Sequence, residues 1–179
     1  VAGDGTVGRN LLDQPVDGVF FTGSYATGQR IVEQVAGRMI KIQLELGGKD
    51  PLYVRFDVDP KATAEAVADG AFYNTGQSCC AVERVYVAAS LYDRFVDAFV
   101  AFVRTMKLGD PTVEGTYIGP LTRRAQLEVL EAQVKDAVMK GAKVLTGGKR
   151  LPGAGAYFEP TVVVNVTHDM AIMQEESFG

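Results

Sequence analysis

The sequence predicts an α/β fold in which a mostly parallel β-sheet is flanked by helices. Short apolar runs bounded by glycines, typical of strands, alternate along the chain with longer stretches whose apolar residues recur at helical spacing. Strands that alternate with helices favour parallel pairing. With 47% hydrophobic and 22% charged residues, the 179-residue chain can bury the core that this fold requires.

The first part of the chain predicts a strand, a tight turn and a helix, followed by two further strands. The apolar run at 18–22 is typical of a strand. The next stretch is predicted to be helical because four apolar residues share one face: Ile31, Val32, Val35 and Ala36. Residues 41–45 alternate as in a half-buried strand, Gly47 and Gly48 interrupt the pattern, and residues 52–54 form another strand.

The rest of the chain predicts three helices, identified by their capping residues and apolar stripes. Asp59 followed by Pro60 suits the start of one helix, and Ser90 is predicted to cap the next. The third helix is expected to begin at Thr122 and to end at Gly141. The strands expected between and after these helices cover residues 85–87, 142–145 and 161–166.

Charge and hydropathy exclude several classes of partner. The formal net charge is −4, and the basic residues are scattered among acidic ones, so we do not expect nucleic acid to bind. No apolar run approaches the roughly 20 residues needed to cross a bilayer, and no signal sequence opens the chain. We therefore expect a cytoplasmic protein. Because the chain starts at Val1 and stops at Gly179 without a cap, we expect a fragment of a longer protein.

Cysteine and histidine are too scarce to build a metal site. The chain has two cysteines, Cys79 and Cys80, and one histidine, His168. Adjacent cysteines strain the usual disulfide geometry, and these three residues cannot supply a zinc ligand set. We predict neither a disulfide framework nor a bound metal.

The two cysteines lie in a glycine-containing segment, residues 74–80, between a predicted helix and a predicted strand. A loop at this place can present a thiol to a cleft, which makes cysteine a candidate nucleophile. The alternative is that both are small core residues, since free cysteine is commonly buried.

Two further segments contain residues suited to chemistry. Glu45 stands between two leucines, where an apolar environment would raise its pKa and make it a general base. The alternative is an edge-strand glutamate that points to solvent. Residues 21–28 end a strand and open a helix, so backbone N–H groups and the Ser24 hydroxyl could hold a phosphate. An ordinary N-cap serine explains that segment equally well.

Taken together, the order and spacing of these segments resemble the aldehyde dehydrogenase superfamily along the whole chain. The segments that carry the resemblance are F-T-G-S at 21–24, L-E-L-G-G-K at 44–49, G-Q-S-C at 76–79 and E-E-S-F-G at 175–179. The resemblance implies an aldehyde dehydrogenase-like fold and NAD or NADP as coenzyme. It also implies that Cys79 is the nucleophile and that Glu45 activates water.

The resemblance also assigns coenzyme contacts and a domain organisation. The turn with Gly23, Ser24 and Gly28 would lie against the pyrophosphate, Glu176 would bind the nicotinamide ribose, and Phe178 would lie near the nicotinamide ring. Residues 1–44 would complete the coenzyme domain and 45–179 would form part of the catalytic domain. Because the oxyanion asparagine and the adenine-ribose lysine are expected upstream, the fragment alone should be inactive. The full-length protein is expected to form a homo-oligomer.

The implied reaction is oxidation of an aldehyde to a carboxylic acid through a thiohemiacetal and a thioester on cysteine. Three alternatives differ in class. A cysteine hydrolase would need a histidine base, and His168 is expected at the surface. A non-catalytic member would keep the fold alone, which retention of both Glu45 and Cys79 disfavours. An acylating relative would pass the acyl group to coenzyme A, whereas Glu45 in its motif favours water.

Overall fold

The computed structural model covers residues 1–179 and divides into two compact units, Val1–Gly47 and Gly48–Gly179. The first unit contains two helices and two strands: α1 Gly5–Leu12, β1 Gly18–Gly23, α2 Tyr25–Val35 and β2 Lys41–Leu46. The second contains four helices and four strands: β3 Asp50–Val54, α3 Pro60–Phe72, β4 Val82–Val87, α4 Tyr92–Val103, α5 Ala125–Met139, β5 Lys143–Thr146, β6 Val162–Val164 and α6 Ala171–Gln174. This mixture agrees with the predicted α/β class.

In the first unit, β1 and β2 pair in parallel and α2 connects them, as the sequence predicts. The helix buries Ile31 and Val35 and also packs Gly28 closely, since a Cβ at Gly28 would lie 2.7 Å from Leu46 Cδ2. Helix α1 was not predicted. It begins after Asp4, whose carboxylate accepts hydrogen bonds from two backbone N–H groups of the first turn.

In the second unit, β3 and β4 also pair in parallel, and α3 connects them. The largest apolar cluster lies where these elements meet α4. It contains the buried residues Val54, Ala64, Val67, Ala68, Leu91, Phe95, Phe99 and Val103. The apolar stripe predicted for α4 is therefore its core-facing side.

The third strand pair departs from the parallel pattern. β5 and β6 are antiparallel, and the 15 residues between them, 147–161, contain no helix. A parallel pair needs a crossover connection, usually a helix, whereas a chain that simply turns back pairs antiparallel. β6 is also shorter than predicted, because Asn165 adopts a positive φ of 59° and ends the extended run.

Two predicted helix starts are wrong. Ser90 does not cap α4, because a 3-10 turn over Ala89–Leu91 precedes that helix and no side chain caps it. Thr122 does not begin α5, which starts at Ala125. The Thr122 N–H donates to Gln77 Oε1 at 2.8 Å, so this backbone serves a tertiary contact instead of a helical turn.

None of the helices combines the length and the apolar character that crossing a membrane requires.

Candidate active site

The cysteine loop, residues 73–81, leaves α3 through an unusual backbone. Three consecutive residues have positive φ: Asn74 at 49°, Thr75 at 59° and Gly76 at 70°. The left-handed region is unfavourable for residues with a Cβ, most of all for a β-branched residue such as threonine. The chain therefore reverses sharply just before the cysteines, at a cost that other contacts must offset.

Hydrogen bonds from the loop itself and from residues 118–122 hold this backbone. The Asn74 side chain donates to the Gln77 carbonyl at 2.9 Å. The Gly119 N–H donates to Thr75 Oγ1 at 3.0 Å, and Gln77 Oε1 accepts from the Thr122 N–H at 2.8 Å. Backbone strain persists only where its surroundings over-determine it, and such places cluster at functional sites.

Both cysteines of the loop are exposed, so the alternative that they are small core residues is wrong. The Cys80 sulfur lies 3.3 Å from Tyr73 Oη and 3.4 Å from Ser78 Oγ. The hydrogen bonds from Ser78 and then Tyr73 lower the pKa of the Cys80 thiol, because both hydroxyls stabilise its thiolate. Cys79 takes no part in these two hydroxyl contacts. No sequence pattern predicts Tyr73 beside the thiols.

The terminal segment, residues 175–179, lies against the cysteine loop. A Cβ at Gly76 would be 2.9 Å from the carbonyl carbon of Gly179. Gly48 lies near both regions: a Cβ there would be 3.5 Å from the Cys79 carbonyl oxygen, and its N–H is close enough to the Glu176 carboxylate to favour the charged form of that group. The second unit thus brings Cys79 together with the predicted coenzyme residue Glu176.

The two predicted coenzyme residues of the terminal segment have different surroundings. Glu176 is half-buried, and burial raises the pKa of its carboxyl group while the Gly48 N–H opposes that shift. Phe178 is exposed and has a positive φ of 50°.

A nearly buried carboxylate, that of Glu83 in β4, contacts the same segment. It pairs with Lys49 at 2.6 Å, and the two side chains are only 11% and 7% exposed. Burial lowers the pKa of Lys49, and the bond to Glu83 opposes that shift. Sequence reasoning missed Glu83, although a charged residue inside the apolar run V-E-R-V-Y-V was a signal.

Glu45 lies at the end of β2 in the first unit, opposite Thr22 of β1. Its side chain is exposed, and Gln43 Nε2 donates to its Oε1 at 3.1 Å. The apolar environment expected for Glu45 is not found among the residues of its own unit. Because β2 pairs only with β1, Glu45 occupies an edge strand and faces solvent there.

Ser24 caps α2, which agrees with the alternative interpretation of this segment as one with an ordinary N-cap serine. Its Oγ accepts from the Thr27 N–H at 3.4 Å and lies 3.0 Å from Thr27 Oγ1. Gly23, Ser24 and the first three residues of α2 are exposed, whereas the fourth, Gly28, is buried. The N–H groups at the start of an 11-residue helix favour a bound anion, so this turn fits a phosphate group.

Neither the histidine nor the apolar cavity of the second unit contacts the two thiols. His168 is exposed and stacks on Tyr86 with ring centroids 6.0 Å apart. An apolar cavity of about 620 Å³ lies beside β4, α4 and α5, and its lining includes neither cysteine. No group of three or more His, Cys, Asp or Glu side chains gathers to hold a metal ion.

Comparison with known proteins identifies the family. A sequence profile of the aldehyde dehydrogenase family matches residues 1–179. The chain belongs to that family. Lactaldehyde dehydrogenase of Escherichia coli is 40% identical over 176 residues, which cover 97% of this chain and 37% of the relative.

Solved structures of aldehyde dehydrogenases confirm the predicted fold. Succinate-semialdehyde dehydrogenase from Burkholderia pseudomallei is 38% identical with a TM-score of 0.95, and the match covers all of this chain and 38% of the other. A structure of 3,6-anhydro-L-galactose dehydrogenase in complex with NAP is 42% identical with a TM-score of 0.95. That match covers 100% of this chain and 39% of the other. This aldehyde dehydrogenase chain therefore spans 37–39% of the length of the three relatives.

Proposed function

We propose that the full-length protein oxidises an aldehyde to a carboxylic acid and transfers the hydride to NAD or NADP. The observation that carries this proposal is the exposed Cys79, which follows a strained, firmly held turn at the G-Q-S-C motif of a family member. A nucleophile needs an accessible position and fixed geometry, and this loop supplies both.

Cys79 is proposed as the nucleophile. Its thiolate attacks the aldehyde carbon to form a thiohemiacetal, whose oxyanion needs nearby N–H donors. The bound nicotinamide supplies the hydride acceptor. Loss of the hydride leaves the acyl group on Cys79 as a thioester, and hydrolysis regenerates the thiol.

Glu45 is proposed as the base for that hydrolysis. It would take a proton from water, which then attacks the thioester carbon. Its exposed carboxylate, whose Oε1 already accepts a bond from Gln43, is accessible to water.

Each of the two units contributes some of the proposed coenzyme contacts. The turn of Gly23 and Ser24 offers the exposed N-terminus of α2 to a phosphate, with Gly28 allowing the helix to pack close to β2. In the second unit, the Glu176 carboxylate would bind the ribose hydroxyls and Phe178 would contact the nicotinamide. We propose that residues 1–44 belong to the coenzyme domain and 45–179 to the catalytic domain; the two compact units divide three residues later, after Gly47.

The test is the absorbance of reduced nicotinamide, measured for the full-length protein with NAD or NADP and a panel of aldehydes. The relatives are named for succinate semialdehyde, lactaldehyde and an anhydro sugar, so the panel includes acid-bearing and hydroxyl-bearing aldehydes. We expect reduction that requires both an aldehyde and Cys79, with Cys79→Ser abolishing the first turnover. A folded protein that reduces neither coenzyme with any aldehyde contradicts the proposal.

Glu45→Gln in the same assay separates hydrolysis from acyl transfer to coenzyme A. The variant should keep a burst of about one hydride per site, while the steady-state rate falls by about 100-fold or more because general base catalysis is lost. An undiminished steady-state rate would exclude Glu45 as the base. A rate restored only by added coenzyme A would favour the acylating reaction.

A further inference from the structure

Glu83 is connected to the terminal segment by an unusually dense set of contacts. Its two carboxylate oxygens accept from the Ser177 N–H at 3.1 and 3.0 Å, and Oε1 also accepts from the Phe178 N–H at 3.0 Å. Oε2 pairs with Lys49 Nζ at 2.6 Å. One nearly buried carboxylate thus holds two successive backbone N–H groups that lie 94 and 95 residues away in sequence.

The backbone held in this way is strained. Phe178 has a φ of 50°, in the left-handed region that a residue with a Cβ seldom adopts. Its N–H is directed at the Glu83 carboxylate in this conformation. Without that acceptor, the segment would gain by relaxing toward extended backbone, which would move the Phe178 ring and the neighbouring Glu176.

The carbonyl groups of the segment have separate partners on α5. Gln133 Nε2 donates to the carbonyls of Glu175 and Glu176 at 3.3 and 3.1 Å, and Gln126 donates to that of Ser177. These amides hold one side of the segment, while Glu83 is the charged group that holds its N–H groups. A pair present only to neutralise Lys49 would not need to face those N–H groups.

We propose that Glu83 is a positioning residue for the coenzyme: its carboxylate fixes the backbone of Ser177 and Phe178, and thereby the Glu176 carboxylate and the Phe178 ring. This inference rests on the proposed function, in which Glu176 and Phe178 contact the nicotinamide half of the coenzyme. In this role Glu83 acts through the terminal segment and not by its own contact with substrate or coenzyme.

Glu83→Gln is a sharp test, because no orientation of the amide satisfies both partners. With its oxygen toward the segment, the NH₂ group meets the Lys49 ammonium; with its oxygen toward Lys49, the NH₂ group meets the backbone N–H donors. In either orientation, two hydrogen-bond donors face each other. Glu83→Asp keeps the charge but withdraws the carboxylate by one methylene, so it provides a second variant with an intact net charge.

The experiment compares two activities of the full-length protein. Coenzyme-dependent aldehyde oxidation requires positioned coenzyme, whereas cleavage of an activated aryl ester forms an acyl thioester on Cys79 without hydride transfer. We expect Glu83→Gln to raise the KM for coenzyme by about tenfold or more with a smaller change in kcat, while ester cleavage stays within about twofold of the parent. Glu83→Asp should raise the coenzyme KM less.

The matched control is Glu131→Gln, which breaks a more exposed ion pair with Arg150 and should leave both activities unchanged. An unchanged coenzyme KM in both Glu83 variants would overturn the inference. So would a parallel loss of oxidation and ester cleavage, since that result indicates a general effect on the fold. If Glu83→Gln does not fold, Glu83→Asp decides by the same criteria. A parent protein that catalyses neither reaction would overturn the proposed function itself.

Discussion

Cys79 and Cys80 are adjacent and both exposed, yet their surroundings differ. The Cys80 sulfur accepts or donates two hydrogen bonds with hydroxyl groups, whereas Cys79 meets neither hydroxyl. A thiol fixed by Tyr73 and Ser78 is poorly placed to follow an approaching carbonyl carbon. This difference supports the proposal that Cys79 is the nucleophile.

The pKa of Cys80 should respond to its hydroxyl neighbours. Since hydroxyl donors stabilise the thiolate, Tyr73→Phe should raise the pKa of Cys80 toward its ordinary value and reduce the thiolate fraction near pH 7. We expect iodoacetamide to alkylate Cys80 several-fold more slowly, with the pH midpoint of alkylation shifted upward. Peptide mass spectrometry in a Cys79→Ser background measures this rate.

Two further variants serve as a positive and a negative control for Tyr73→Phe. Ser78→Ala should shift the midpoint further in the same direction, because the bond from Ser78 is the largest cause of the lowered pKa. Tyr92→Phe, at an exposed position on α4, should shift nothing. An identical pH profile for the parent and Tyr73→Phe would show that the tyrosine does not stabilise the thiolate.

At the scale of elements, the connection from α3 to β4 determines where the cysteines lie. Left-handed backbone at Asn74 and Thr75 costs of order 1–3 kcal/mol each. The contacts from Gly119 and Thr122 offset this cost, which explains why residues 118–122 do not extend α5. The loop is therefore supported by a distant segment, residues 118–122, that itself forms no helix or strand.

Gly76→Ala should lower the free energy of unfolding by about 1–3 kcal/mol, because alanine at a φ of 70° is strained and its Cβ would meet the Gly179 carbonyl carbon at 2.9 Å. The control is Gly70→Ala within α3, where the nearest atom, Val82 Cγ2, would be 3.5 Å away. That change should raise the free energy of unfolding by about 0.5–1 kcal/mol. Urea denaturation measures both, and equal effects would refute the argument.

At the scale of the whole molecule, stability of the second unit depends on apolar clusters between elements. Leu91 is 2% exposed and belongs to the cluster formed by α3, α4 and the β3–β4 pair. Leu91→Ala should lower the free energy of unfolding by about 2–5 kcal/mol, because apolar burial is lost and a cavity is left behind. The surface control Val113→Ala, at a residue 50% exposed, should change stability by less than about 0.5 kcal/mol. A comparable loss in both variants, measured by urea denaturation, would argue against this core.

Much of the fold was predictable because helices and strands are encoded by local periodicity. The pattern of residues 18–46 predicts β1 and β2 with ends within one residue of those observed, and it predicts a helix between them. The starts of α4 and α5 were not predictable in the same way. Thr122 is a good capping residue by type, but a contact with Gln77, 45 positions away, uses its N–H.

The sequence by itself determined the α/β class, the family and the candidate residues, since these depend on periodicity and on motifs of a few neighbouring residues. Tertiary structure decided the exposure of both thiols, the hydroxyls beside Cys80, the antiparallel β5–β6 pair and the contact between Glu83 and the terminal segment. The physical reason is that burial, strain and hydrogen bonding depend on groups brought together from distant positions. The bond from the Phe178 N–H to Glu83 spans 95 residues, and no local pattern encodes it.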